Sequence, residues 1–187
     1  MSKVKSQMSK VQRGFTLIEA IVAIGVISIG FVGSLVLLSR ASSQAIALKD
    51  RVVAAHIAEE GIEVARNIRD TNWLKGRDWL FGLIEPIEPP SGTEISGVLN
   101  YDSSAIDDSD QSESRKCLNW NGSFYKHAVA PAYACSTSFK RQITLTKKEE
   151  IISGQNISYL EIKSTVYWKE KGIVKNLTVI DHLYDWK

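Results

Sequence analysis

Ala20–Leu38 is a run of nineteen residues with no charge and no proline. As a helix rising 1.5 Å per residue it covers about 28 Å, close to the hydrocarbon thickness of a bilayer. Such a run fixes the first element as a helix, because only a helix satisfies its own backbone polar groups in lipid. Charge is placed asymmetrically around it. Residues 1–14 carry Lys3, Lys5, Lys10 and Arg13 with no acid, leaving 19 basic residues against 21 acidic ones in the remainder. The basic flank predicts a cytoplasmic N-terminus and an exported remainder. A net charge of +2 gives no footing for a nucleic-acid partner. A cleavable signal peptide would have a shorter apolar core, of about 7–15 residues.

One charge borders the run. Glu19 would be costly, on the order of 2.5–3.5 kcal/mol, if it moved to the bilayer centre without a partner. It closes the series Arg13-Gly14-Phe15-Thr16-Leu17-Ile18-Glu19. This series resembles the type III signal of type IV prepilins and pseudopilins: glycine, then phenylalanine, threonine, leucine, an apolar residue and glutamate. The resemblance implies cleavage after Gly14 by a prepilin peptidase on the cytoplasmic face, then N-methylation of Phe15. It also implies that Glu19 meets the N-terminal amine of a neighbouring subunit during assembly. Cleavage would create a positive amine four residues before Glu19, on the same helical face. Two charges that are costly apart in lipid are tolerable as a pair between helices. Gly25, Gly30, Gly33 and Ser34 suit close helix–helix approach, although glycine is common in membrane helices generally. Many major pilins carry a proline in this helix; the first one here is Pro86.

Helical periodicity continues past the membrane segment. Ile46, Val53, Ile57, Val64 and Ile68 recur at spacings of seven and four, and Leu48, Val52, Ala55 and Ile62 widen the stripe. Glu63 and Arg66 are spaced to pair. The expected organisation is a basic leader over 1–14, a transmembrane or filament-core helix over 15–39 and an amphipathic helix over 40–70. Residues 71–136 read as an irregular region with a few short elements, and 137–187 as an antiparallel meander. The meander strands are Phe139–Leu145, Ser158–Trp168 and Ile173–Leu183, with turns at Ser153-Gly154 and Lys169–Gly172. The fold class is therefore α+β, a long N-terminal helix packed on a small antiparallel sheet. The endings Val166-Tyr167-Trp168 and Leu183-Tyr184-Asp185-Trp186, with the segment Ala58–Arg69, resemble minor pilins and pseudopilins of the V and I types.

Cys117 and Cys135 are the only cysteines. In an exported domain they are expected to form a disulfide; with His127 they would supply only three zinc ligands, without C-x-x-C spacing. Trp120, Phe124, Tyr125 and Tyr133, inside the loop they bound, form a contact surface or pack the loop. Asp107, Asp108, Asp110 and Glu113 cluster oxygen ligands of the kind calcium takes. The EF-hand glycine and terminal glutamate are missing, so a solvated acidic loop is expected and no cofactor is assigned. His56 reads as a helix-surface residue. No nucleophile elbow, H-E-x-x-H, P-loop or dinucleotide glycine pattern occurs, so no catalytic residue is assigned. The resemblance implies a minor pilin or pseudopilin whose partners are prepilin peptidase, other pilin subunits and an inner-membrane assembly platform. A membrane-anchored monomer exposing the Cys117–Cys135 loop for binding or adhesion is the alternative.

Overall fold

The computed structural model describes residues 14, 16–85, 89–128, 135–152 and 154–185. Residues 1–13 of the basic leader, Phe15, Pro86, Tyr133, Ser153 and Trp186 lie outside the described residues. The chain forms two compact units, residues 1–46 and 47–187. One helix, α1 (Leu17–Leu74), contributes to both. Six strands follow: β1 (Glu94–Gly97), β2 (Leu118–Trp120), β3 (Tyr125–His127), β4 (Lys140–Ile152), β5 (Gln155–Glu170) and β6 (Ile173–Tyr184). The long strands form an antiparallel sheet in the order β1-β4-β5-β6, and β2 and β3 form a separate hairpin. The three expected meander strands are present and longer than their apolar cores suggested, because β4 and β5 extend as a ribbon to the Ile152↔Gln155 pair. The Lys169–Gly172 turn is a two-residue hairpin in which Lys171 (φ 50°) and Gly172 (φ 82°) are both left-handed. That geometry matches the natural twist of the paired strands.

The stretch expected to be irregular holds β1, β2 and β3, and β1 joins the main sheet through Glu94↔Thr146 to Gly97↔Ile143. Trp79, Leu80, Leu83 and Ile84 are buried in the same core as Ile62, Ile68, Ile143, Leu145, Leu160 and Ile162. The chain leaves α1 and folds back because Asn72 serves as a bracket. Its carbonyl accepts from Arg77 N at 2.9 Å, and its Nδ2 donates to the Phe81 carbonyl at 2.7 Å.

The apolar stripe is corrected at its start. Ile46, Leu48 and Val52 are exposed, and full burial begins at Ala54. The face that meets the sheet is lined by small residues, Ala54, Ala58, Gly61 and Ala65, with Ile57, Ile62 and Ile68 beside them. Small side chains carry little hydropathy signal, so the periodicity marked the larger neighbours and missed the line of closest approach. A Cβ built on Gly61 would lie 2.7 Å from Ile143 Cδ1, 2.9 Å from Ser164 Oγ and 3.3 Å from Arg141 Cδ. All three neighbours are fully buried.

Gly61→Ala should therefore destabilise the second unit (residues 47–187, the head) by about 1 kcal/mol. Overpacking of about 1–3 kcal/mol outweighs a gain of about 1 kcal/mol in helix propensity. Gly61→Val should cost more. Thermal unfolding checks the order wild type, alanine, valine.

Candidate functional site

The N-terminal site is built around the start of α1. Thr16 precedes the first helical residue, and its Oγ1 accepts a hydrogen bond from Glu19 N at 3.3 Å. Its carbonyl accepts from Ala20 N at 3.2 Å. Thr16 is thus the N-cap and Glu19 the third residue of the first turn, in the sequence pattern of a capping box. An acid in the first turn also faces the positive end of the helix dipole. This role was missed in reading the residues, although a threonine followed by glutamate at the third position before an apolar run is its signature. Gly14, Thr16 and Glu19 are exposed. The segment behind them is long and apolar enough to cross a membrane, and its most apolar eighteen residues are unburied. The hydroxyls inside it are satisfied within the helix, Ser28 to the Ile24 carbonyl at 2.7 Å and Ser34 to the Gly30 carbonyl at 2.9 Å. Both serines can sit in lipid without seeking a partner helix.

In the head, Cys117 and Cys135 are disulfide-bonded across a sequence separation of 18. This takes both thiols from the alternative zinc set. Cys117 is buried beside β2, and its neighbour Leu118 is fully buried. The acidic stretch is tied to the head, contrary to a simply solvated loop. Val98 and Asp107 exchange backbone hydrogen bonds at 2.9 and 3.1 Å, and the Asp107 carboxylate pairs with Arg115 and Ser109 Oγ. Glu113 pairs with Lys116 and Lys140. The Ser109 hydrogen bond, with Arg115 beside it, holds the Asp107 carboxyl below its ordinary range. Among the described residues, no three His, Cys, Asp or Glu side chains converge as a metal site.

His56 is exposed on α1 and lies 3.3 Å from Glu59. Glu63 and Arg66 pair as their spacing suggested, and Arg66 also reaches Asp181 on β6 at 2.7 Å. The aromatic residues divide between packing and surface. Tyr125 contacts Phe139 edge-on, whereas Phe124 stacks on Tyr101 with ring centres 4.7 Å apart. Trp120, Phe124 and Tyr101 remain exposed.

The burial of several ionisable groups was not anticipated. Arg141 on β4 is fully buried. It donates to the Ile57 carbonyl at 2.9 Å, Glu60 Oε1 at 3.1 Å and the Leu99 carbonyl at 2.6 Å. Burial pushes its pKa down, and Glu60 opposes that shift. His127 is also buried, and neither ring nitrogen has a hydrogen-bond partner among the described residues. Burial, with the Arg141 charge, pushes its pKa down to about 3. On the outer face of the sheet, Glu161 is 7% exposed and pairs with Lys148, Lys163 and His182. Its hydrogen bond to Lys148 leads the effects that hold its carboxyl at about 2.

Residues 9–35 match the family described as the prokaryotic N-terminal methylation motif. The match is consistent with a type IV pilin-like prepilin, and it covers the end of the leader and the first part of α1 only. The long apolar helix and this motif together fit a single-pass membrane-anchored protein. No curated protein and no solved structure matches the chain.

Reducing the disulfide, or replacing both cysteines by serine, should lower head stability by about 3 kcal/mol, the loop-closure expectation for this span. Denaturant unfolding checks it. Acid should destabilise the head in two steps. As pH falls from the ordinary histidine value of 6.5 towards about 3, the unfolded chain takes up a proton that folded His127 refuses, so stability is lost across that window. Glu161 contributes stability that is present above 4.5 and lost as pH falls towards about 2. His127→Leu should flatten stability against pH between 6.5 and 4.5 while leaving the lower step in place.

Proposed function

We propose that this chain is a minor type IV pilin or pseudopilin, a structural subunit processed by prepilin peptidase and assembled into a pilus or a type II secretion pseudopilus. One observation carries the reading. The complete Gly14–Glu19 signal runs without a break into a helix apolar enough to span a membrane, and Glu19 is the only charge between Gly14 and Arg40. Peptidase cleaves after Gly14 on the cytoplasmic side, Phe15 is N-methylated, and the head faces the exported side of the inner membrane. Glu19 then meets the α-amine of a neighbouring subunit as the helix enters the filament. An assembly platform in the membrane and the other pilin subunits are the remaining partners, and the role is structural rather than catalytic.

The exposed Tyr101, Trp120 and Phe124 favour a second reading, a monomeric membrane-anchored binding or adhesion module. Glu19 separates the two. Two variants probe it. Glu19→Ala removes the side chain beyond Cβ, whereas Glu19→Gln keeps its size and removes only the charge. The Thr16 capping bond, made by the Glu19 backbone N–H, is available to both. Both variants should insert in the membrane at wild-type levels, and both should fall to background in the sheared filament fraction. A Glu19→Gln chain that assembles normally would remove the charge pair from the account, and a wild type absent from the filament fraction would favour the anchored monomer.

A further inference from the structure

The two edges of the main sheet are treated differently. β1, at one edge, is four residues long. Beyond it, Val98 exchanges backbone bonds with Asp107, and Gln111 Nε2 donates to the Ser96 carbonyl. That edge is closed by the chain's own acidic segment. β6, at the other edge, is twelve residues long and pairs only with β5 among the described residues. It has no proline, and Ile173, Val174 and Ile180 are 62%, 61% and 53% exposed. Native sheets blunt their edges with short strands, prolines, bulges or charges, because an open edge is a template for another strand. Lys175 lies near one end of β6, and Asp181 is held by Arg66, so neither guards its length.

Beside this edge, Glu59, Ile62, Glu63 and Arg66 of α1 and Val179, Ile180 and Asp181 of β6 line a groove of about 180 Å³. Its charge is unbalanced, with three carboxylates against one guanidinium that Glu63 and Asp181 share. A strand added to β6 would send alternate side chains towards this groove. Ile62 and Val179 offer an apolar wall and Glu59 a carboxylate, which suits a long apolar stem ending in a cation. Head-to-tail pairing of two copies would need β1, which is closed.

We infer that β6 is a strand-addition site for an extended segment of a partner protein that places a lysine or arginine in the groove beside Glu59 and Glu63. Main-chain bonds along β6 supply affinity and the acidic groove supplies selectivity, the usual division in strand addition. The inference stands on the head alone and does not use the filament reading.

A random library of blocked twelve-residue peptides, selected on the full chain in detergent micelles, tests it. Selected peptides should alternate in polarity and carry lysine or arginine at a fixed helix-facing position. Binding should slow amide exchange at β6. Ile180→Lys, an edge-guarding change on the exposed face, should weaken the selected peptides at least tenfold with no change in thermal midpoint. Glu59→Lys should shift selection towards aspartate or glutamate. No selected peptide, binders indifferent to Ile180→Lys, or binders without a cation would each overturn the inference. So would β6 protection that rises with protein concentration in the absence of peptide, which would make a second copy the occupant.

Discussion

The head depends on how closely α1 approaches the sheet at Gly61. Without a side chain there, Ile143 and Ser164 come up against the helix, and Arg141 passes beside it to reach the Ile57 carbonyl. The same guanidinium binds Glu60 and the Leu99 carbonyl, so one buried side chain ties helix, sheet and the segment after β1. A charge buried in this way is tolerable only while its partners are in place. The arrangement puts His127 in an electropositive interior where it must stay neutral. Gly61, Arg141 and His127 are therefore one constraint seen from three sides.

The same core gives the rest of the head its order. Ile62, Ile68 and Leu80 join the inner faces of β4 and β5, while Ala54, Ile57, Ala58 and Leu118 form a second cluster with Phe139, Val166 and Trp168. The disulfide fastens the β2–β3 hairpin region beside this second cluster. Closing one sheet edge with the Asp107–Gln111 segment leaves β6 as the long unsatisfied boundary of the domain.

The parts of this design that announce themselves in the residues are those with period or fixed order. The uncharged run, the Gly14–Glu19 series and the alternating strands were legible because lipid, a recognition motif and a two-residue period each leave a long repeated mark. Gly61, Ala58 and Ala54 were not, since close approach selects small residues that carry almost no hydropathy. Arg141 was not either: in the alternation Phe139, Arg141, Ile143, Leu145 it sits on the buried face, yet nothing local says that Ile57, Glu60 and Leu99, at separations of 84, 81 and 42, would converge on it. The acidic segment looked solvated because its anchors, Arg115 and the β1 edge, are tertiary partners. At the N-terminus, Glu19 was read for its charge alone, whereas Thr16 and Glu19 also begin the helix.

The proposed filament role calls for an apolar helix and a folded head. The chain has a helix apolar enough to cross a membrane and a compact unit over residues 47–187. The most direct test is the intact mass and N-terminal sequence of the chain recovered from membranes with and without prepilin peptidase. The account predicts a chain beginning at N-methylated Phe15 when the peptidase is present, and an intact Met1 start when it is absent. A chain that keeps Met1 in both cases, or that begins near Ser42, would contradict it.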